Sequence, residues 1–286
     1  MFNQNETLDQ ARNRNIHDAL MEDIGTGDWT AKLVPENQTA KAQLIVRQDA
    51  VLCGVDWFEG TLKTLDPRAD VSWHYMEGDM MKANTPVCDI QADARALLSA
   101  ERTAINFLQT LSWTATSTRI HVDAIAGISP NPHGCAILDT RKTIPGLRQA
   151  QKYAVLVGNG LNQRLALWHG ILIKENHIAA AGGIAAALQA AAGFNSKVDI
   201  QIEVEDFDEL NDALNAGATN ILLDNFSTAH MKQAVDLTRG RALLEASGGI
   251  DLEQLQEIAK TGVDRISIGK LTKDVSAVDF SMRFTK

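Results

Sequence analysis

Three cations, Arg141, Lys142 and Arg148, crowd the segment Leu138-Asp139-Thr140-Arg141-Lys142-Thr143-Ile144-Pro145-Gly146-Leu147-Arg148, directly after a short apolar run. Arginine's planar fork binds carboxylates or phosphates through paired hydrogen bonds, and lysine adds a compact point charge. The chemistry on offer is a clamp for a small anion; the plainer alternative is a solvated surface turn. Lys174 ends a second apolar run in Ile173-Lys174-Glu175-Asn176-His177. There it suits a Schiff-base nucleophile, an anion binder, or a rim cation paired with Glu203 or Asp224. His177 fits an ordering role in the following loop better than metal binding, because no second ligand sits at a suitable spacing.

Glu203 and Asp224 close two successive runs about twenty residues apart, which makes them neighbours on one rim. Two acids facing cations hold Mg2+, hydrogen-bond ribose hydroxyls, or steady a developing positive charge. A structural ring of salt bridges with Lys142 and Lys174 would use the same acids. Glu205 reads as solvated. Two glycine-containing loops follow later runs, Glu245-Ala246-Ser247-Gly248-Gly249-Ile250 and Ile268-Gly269-Lys270-Leu271. Backbone amides in such loops favour phosphate, and barrel phosphate sites recur in the final strand loops. The glycines within Lys152–Arg164 are weaker evidence of a ligand turn. Arg102, in the amphipathic stretch Ser99–Leu108, reads most simply as a surface charge beside a nearby acid.

What must position these residues is a set of six apolar runs: Ala136–Asp139, Ile171–Lys174, Ile200–Glu203, Ile221–Asp224, Ala242–Glu245 and Arg265–Gly269. Strands buried on both faces read as continuous apolar runs, and helices between them imply a parallel sheet. A charge where each run stops belongs at the open rim of an α/β barrel, where such enzymes keep their sites. Helices are expected over Ala179–Ala192, Phe207–Ala216, Thr228–Thr238 and Leu252–Thr261, with Asp206, Ser227 and Asp251 as N-caps. Six clear strands predict an incomplete barrel.

The first part reads differently. A helix over Leu8–Met21 precedes strand-like alternation in Ala40–Arg47 and Val71–Tyr75, then a turn and strand in Glu77–Val87. A helix over Ala94–Ser117 follows. The expected domains are 1–123, with segment 274–286 packing against it, and a catalytic 124–273.

Length bounds these readings: 286 residues bury a real core in one large or two modest domains. A net charge of −9 without basic runs argues against nucleic acid and anionic membranes as partners. Three scattered cysteines, Cys53, Cys88 and Cys135, argue against a disulfide framework or zinc and for a reducing cytoplasm. Met1–Glu6 lacks the pattern of a signal peptide, and no stretch has the apolar length of a membrane span.

Together these segments resemble the quinolinate phosphoribosyltransferase family. The resemblance rests on Glu101–Asn106, the Leu138–Arg148 run, Lys152-Tyr153-Ala154-Val155, Asn162 with Arg164, and Leu172–His177. It continues through Glu203-Val204-Glu205, Leu223–Phe226, Glu245–Ile250, Ile266–Gly269 and Leu271-Thr272, with Asp23–Thr30 matching the amino-terminal signature. The resemblance implies an α/β sandwich domain joined to an incomplete α/β barrel of the type II phosphoribosyltransferase kind, in a homodimer with shared active sites. It implies that quinolinate and 5-phosphoribosyl 1-diphosphate give nicotinate mononucleotide, pyrophosphate and CO2 with Mg2+, as a step of NAD biosynthesis.

By that resemblance, Arg102 reaches quinolinate in the partner's site, while Arg141, Gln163, Arg164 and Lys174 line the anionic pocket. Lys142 contacts substrate or the diphosphate donor, and Glu203 and Asp224 serve ribose and metal. Ser247, Gly248, Gly249, Gly269, Lys270 and Leu271 serve the 5-phosphate. Three positions depart from the family's usual pattern: Gln163 replaces a histidine, Asn159 interrupts a glycine triplet, and Trp113 replaces a glycine. The competing readings are a phosphoribosyltransferase-like paralogue with another substrate, a Schiff-base aldolase using Lys174, and a non-catalytic anion binder. Borohydride trapping on a carbonyl substrate discriminates the aldolase, which leaves the cation cluster unexplained.

Overall fold

The computed structural model describes residues 5–194 and 197–285. Residues 1–4, part of the amino terminus read for a leader, and Lys286, the end of the segment 274–286, lie outside the described residues. In chain order, α1 (Leu8–Ile24) precedes β1 (Thr39–Val46), β2 (Ala50–Val51), α2 (Val55–Leu65), β3 (Asp70–Trp73), β4 (Met80–Met81) and β5 (Pro86–Asp93). The long α3 (Ala94–Ala124) then leads to β6 (Ala136–Leu138), α4 (Arg148–Val157) and β7 (Gly170–Ile173). There follow α5 (Glu175–Ala181), α6 (Ile184–Gly193), β8 (Asp199–Val204), α7 (Phe207–Asn215), β9 (Asn220–Asp224) and α8 (Thr228–Thr238). The chain closes with β10 (Leu243–Ser247), α9 (Leu255–Ala259), β11 (Arg265–Ser267), α10 (Lys270–Lys273) and β12 (Phe280–Thr285).

The chain divides into two compact units. The first holds residues up to Arg119, Thr143–Asn159, and the chain from Leu271 onward. Its main sheet has the order β12-β1-β5-β3 and is antiparallel throughout. In β1, Ala40, Ala42, Leu44 and Val46 are buried while the residues between them are more exposed. That period of two is what an antiparallel sheet with one wet face requires. The buried face packs on Phe58 and Leu62 of α2 and on Leu97, Ala104 and Leu108 of α3. Each fully buried leucine there contributes roughly 1.5–3 kcal/mol. The returning chain is held at two points. β12 pairs along β1, and the indole N–H of Trp113 donates to the Asp274 carbonyl at 3.1 Å. Trp113 thus fastens the returning chain to α3.

The second unit, Ile120–Lys142 with Gly160–Lys270, is built on six parallel strands in the order β6-β11-β10-β9-β8-β7. All six expected strands form. β6 and β7 lie at opposite ends of that order, so the barrel is open, as six strands led us to expect. Part of the gap beside β6 is filled by Leu161. Its N–H donates to the Ile137 carbonyl at 2.8 Å, and its carbonyl accepts from the Asp139 N–H at 3.2 Å. Asp206 and Ser227 cap α7 and α8, accepting from the Glu209 and His230 amides at 2.8 and 3.2 Å.

Three local expectations are corrected. The single helix over Ala179–Ala192 is two helices, α5 and α6, because Gly182 and Gly183 both take positive φ (87° and 124°) and end the first. Arg148 opens α4 instead of extending the cationic loop after β6. β10 continues to Ser247, which moves Glu245 from the expected strand end to its middle, where it is 1% exposed.

Candidate active site

Strands that run parallel bring their carboxyl ends to one rim. On that rim Thr140–Lys142 follow β6, Lys174 follows β7, Asp224 and Ser247 end β9 and β10, and Gly269 lies two residues past β11. Glu203 lies one residue before the end of β8, in register with Leu222 of β9. Arg141, Lys142, Arg164 and Lys174 line one cavity of about 180 Å³, together with Gln163, Glu203 and Ser247. Residues from five separate stretches of sequence therefore share one cup.

Charge is organised within it. Lys174 Nζ donates to Glu203 Oε2 at 2.6 Å. The Lys174 N–H donates to His177 Nδ1 at 3.0 Å, so His177 ties down the junction between β7 and α5, where helix stands in place of the expected loop. Arg164 loses some proton affinity, chiefly through burial and then through the nearby charge of Arg141. Two guanidinium groups lining one cavity suit an anionic ligand. Asp224 is shifted in the opposite sense: burial raises its carboxyl above the ordinary range and the Glu203 charge adds to that. Lys174, Lys142 and the Asn225 amide oppose the rise. Glu205 is also raised, by desolvation first and then by Glu175, Glu209, Asp224 and Glu203. On the acidic side of the rim, burial and neighbouring carboxylates therefore outweigh the two lysines.

The loops after β9 and β10 interlock. The Asn225 N–H donates to the Ser247 carbonyl at 3.0 Å, and Asn225 Nδ2 donates to Asp224 Oδ2 at 2.8 Å. Gly248 has φ +108°, and a Cβ there would fall 2.1 Å from Asn225 Oδ1 and 3.0 Å from the Asn225 backbone nitrogen. Only glycine lets the two loops meet. Gly269 serves the other side: a Cβ would stand 3.0 Å from Lys142 Cδ.

Other expected residues lie elsewhere. Asp224 is not among the residues lining the cup, although Glu203, Lys174 and Lys142 all act on its carboxyl. Gly249 has open space around it. Lys270 is in an ion pair with Asp251. Arg102 and Leu271 belong to the first unit, Arg102 with an exposed side chain 3.9 Å from Glu101 and Leu271 fully buried. Thr140 and Ser267 line the cup as well. Single hydroxyl residues at strand ends carry no signal that sequence reasoning can use.

Residues 28–112 match the family description "Quinolinate phosphoribosyl transferase, N-terminal domain", and residues 114–283 match its C-terminal domain. The chain belongs to the quinolinate phosphoribosyltransferase family. A probable nicotinate-nucleotide pyrophosphorylase (carboxylating) of Bacillus subtilis strain 168 is 38% identical over 267 residues, 93% of this chain and 91% of that protein. The structure of the nicotinate-nucleotide pyrophosphorylase from Francisella tularensis is 41% identical, with a TM-score of 0.92 over 99% of this chain and all of that one. The Ehrlichia chaffeensis nicotinate-nucleotide pyrophosphorylase is 35% identical, with a TM-score of 0.89 over 96% of this chain and 98% of its own. Within the family's usual pattern, Asn159 is accommodated readily: it takes φ 68°, a left-handed conformation that asparagine adopts more easily than most side chains.

Proposed function

We propose that this chain transfers the phosphoribosyl group of 5-phosphoribosyl 1-diphosphate to quinolinate and decarboxylates the product, giving nicotinate mononucleotide, pyrophosphate and CO2 for NAD biosynthesis. The observation that carries this reading is the meeting of Arg141, Arg164 and Lys174 with Glu203 in one rim cavity. Quinolinate is a pyridine with two adjacent carboxylates. Three cations neutralise it and turn its ring nitrogen toward the sugar.

As the C1–oxygen bond to pyrophosphate breaks, positive charge grows on the ribose. Glu203 and Asp224 steady that charge without a covalent bond, and the ring nitrogen then forms the new bond to C1. The nitrogen becomes cationic, so the electrons of the breaking C2–carboxylate bond are held beside it until a proton takes the place of CO2. No protein nucleophile is required, and Lys174 remains an ion-paired anion binder. Lys142 is assigned to the diphosphate of the donor, and Ser247–Gly249 with Gly269 to its 5-phosphate.

Among the described residues no three His, Cys, Asp or Glu side chains cluster as a metal cage. Magnesium is commonly held by one or two carboxylates plus substrate phosphates, and Glu203 with Asp224, whose charges act on each other, would supply those carboxylates. When bound, Mg2+ would neutralise the departing pyrophosphate. We also assign the working form to a homodimer in which Arg102, exposed on α3, completes the partner's cup. Three free cysteines favour the cytoplasm, and among the described residues no helix is long and apolar enough to cross a membrane.

The test is turnover with quinolinate, 5-phosphoribosyl 1-diphosphate and Mg2+, following pyrophosphate and CO2 together, with nicotinate as the control acid. Equal use of nicotinate, or no turnover of quinolinate, overturns the reading.

A further inference from the structure

Below the cup, the barrel interior holds a run of polar side chains in contact. Gln163 Nε2 donates to Gln201 Oε1 at 2.7 Å. Gln201 Nε2 donates in turn to Glu245 Oε2 at 2.8 Å and to Asn220 Oδ1 at 3.0 Å. The Arg265 guanidinium donates to the same Asn220 oxygen and lies 3.7 Å from Glu245 Oε2. Gln201 is 4% exposed and Glu245 1% exposed, so none of this is surface decoration. Most polar groups at such depth are hydrogen-bonded, and among the described residues of this run only Glu245 Oε1 and Arg265 Nε lack a hydrogen-bond partner, the Arg265 and Glu245 charges facing each other instead.

The direction of every bond in this run follows from two groups that have no choice. A guanidinium only donates and a carboxylate only accepts. Arg265 therefore draws the oxygen of Asn220 toward itself. Gln201 then faces two acceptors, Asn220 Oδ1 and Glu245 Oε2, and must give both its amide hydrogens to them. Its oxygen is left for Gln163, whose amide must present nitrogen downward. The position and sense of the Gln163 amide are thus set from the barrel floor.

Gln163 lines both the cup and a second cavity, of about 110 Å³, bounded by Gly170, Asp199, Asn220 and Arg265 at the amino ends of the strands. Gln201 lines only the second. We infer that Gln201 is a positioning residue: it locks the Gln163 amide for quinolinate binding, and Asn220, Glu245 and Arg265 hold Gln201 in the sense required. The inference rests on the proposed reaction, in which Gln163 is part of the quinolinate cup. Where the family usually has a histidine, this chain has a neutral amide whose orientation is supplied by a second neutral amide.

The experiment is a double-mutant cycle on the full-length protein with Gln163→Met and Gln201→Met, reading KM for each substrate and kcat separately. Each single change is expected to raise KM for quinolinate roughly tenfold while moving KM for the sugar donor less than about twofold, and the double variant is no worse than the weaker single. Additive effects, equal shifts in both KM values, or an unchanged quinolinate KM in either single variant overturns the inference while the wild type still turns over quinolinate. Failure of the wild type itself to turn over quinolinate overturns the proposed reaction instead. A readout independent of substrate and of the variants' folding is side-chain amide exchange in wild-type protein carrying ¹⁵N-glutamine. The Gln163 amide is expected to exchange at least about tenfold more slowly than an exposed glutamine, and exchange at the exposed rate would remove the lock.

Discussion

Lys174 Nζ reaches Glu203 Oε2 at 2.6 Å across the carboxyl ends of β7 and β8, so a cation assigned to quinolinate and an acid assigned to ribose touch before either substrate arrives. The lysine side chain is about half exposed, and a pair of this kind contributes no more than about 1 kcal/mol to folding. Its weight falls on the reaction. Glu203→Ala, Asp224→Ala and Lys142→Ala are each expected to lower turnover at least about tenfold, roughly 1.4 kcal/mol of transition-state stabilisation. Steady-state kinetics beside a thermal melt checks this, and wild-type rates in all three would remove them from the site.

Asp224 carries a cost to folding that depends on pH. Its folded carboxyl is raised, mainly by burial and next by Glu203, so the folded state binds the proton more tightly than the unfolded state. Stability from this group is therefore full below the ordinary carboxylate range and is lost as pH rises through the raised folded value. Asp224→Asn is expected to melt above the wild type at neutral pH and together with it in acid, while losing turnover. A melt series across pH reads the difference, and a neutral-pH melt below the wild type contradicts it.

Gly248→Ala places a methyl group on Asn225 and forces a left-handed backbone on alanine. Backbone strain alone costs about 1–2 kcal/mol. Displacing Asn225 also breaks its bond to Asp224. Lower stability is expected together with at least about a tenfold loss of turnover, whereas the same change at Gly249, which has open space around it, costs only the strain. Paired melts and rates on the two variants decide the matter.

The thiols are expected to be slow. Burial and the nearby Glu77 raise Cys53, burial raises Cys88, and burial with Asp264 pushes Cys135 up to about 12. Since the thiolate is the reactive form, alkylation of the native protein should run at least about tenfold slower than after denaturation. A thiol that reacts at the denatured rate contradicts the burial described.

Much of this was legible in the chain because parallel strands announce themselves: Ile221-Leu222-Leu223-Asp224 is a continuous apolar run that stops where the strand does. The rim acids Glu203 and Asp224 followed directly from that rule. The same rule misplaced Glu245, since the two residues that extend β10, Ala246 and Ser247, are small and do not look like strand. The Gln163–Gln201 bond was not legible at all. It joins residues 38 positions apart through a barrel interior, and uncharged amides give no periodic or electrostatic signal. The split between α5 and α6 was readable from Gly182-Gly183, but the apolar periodicity on either side masked it.

The most direct measurement is a crystal structure of the protein with quinolinate and without the sugar donor, in which chemistry cannot proceed. Both carboxylates of quinolinate should lie among Arg141, Arg164 and Lys174, with the ring nitrogen toward Glu203. Quinolinate bound at any other place, with that cup left to solvent, would contradict the account.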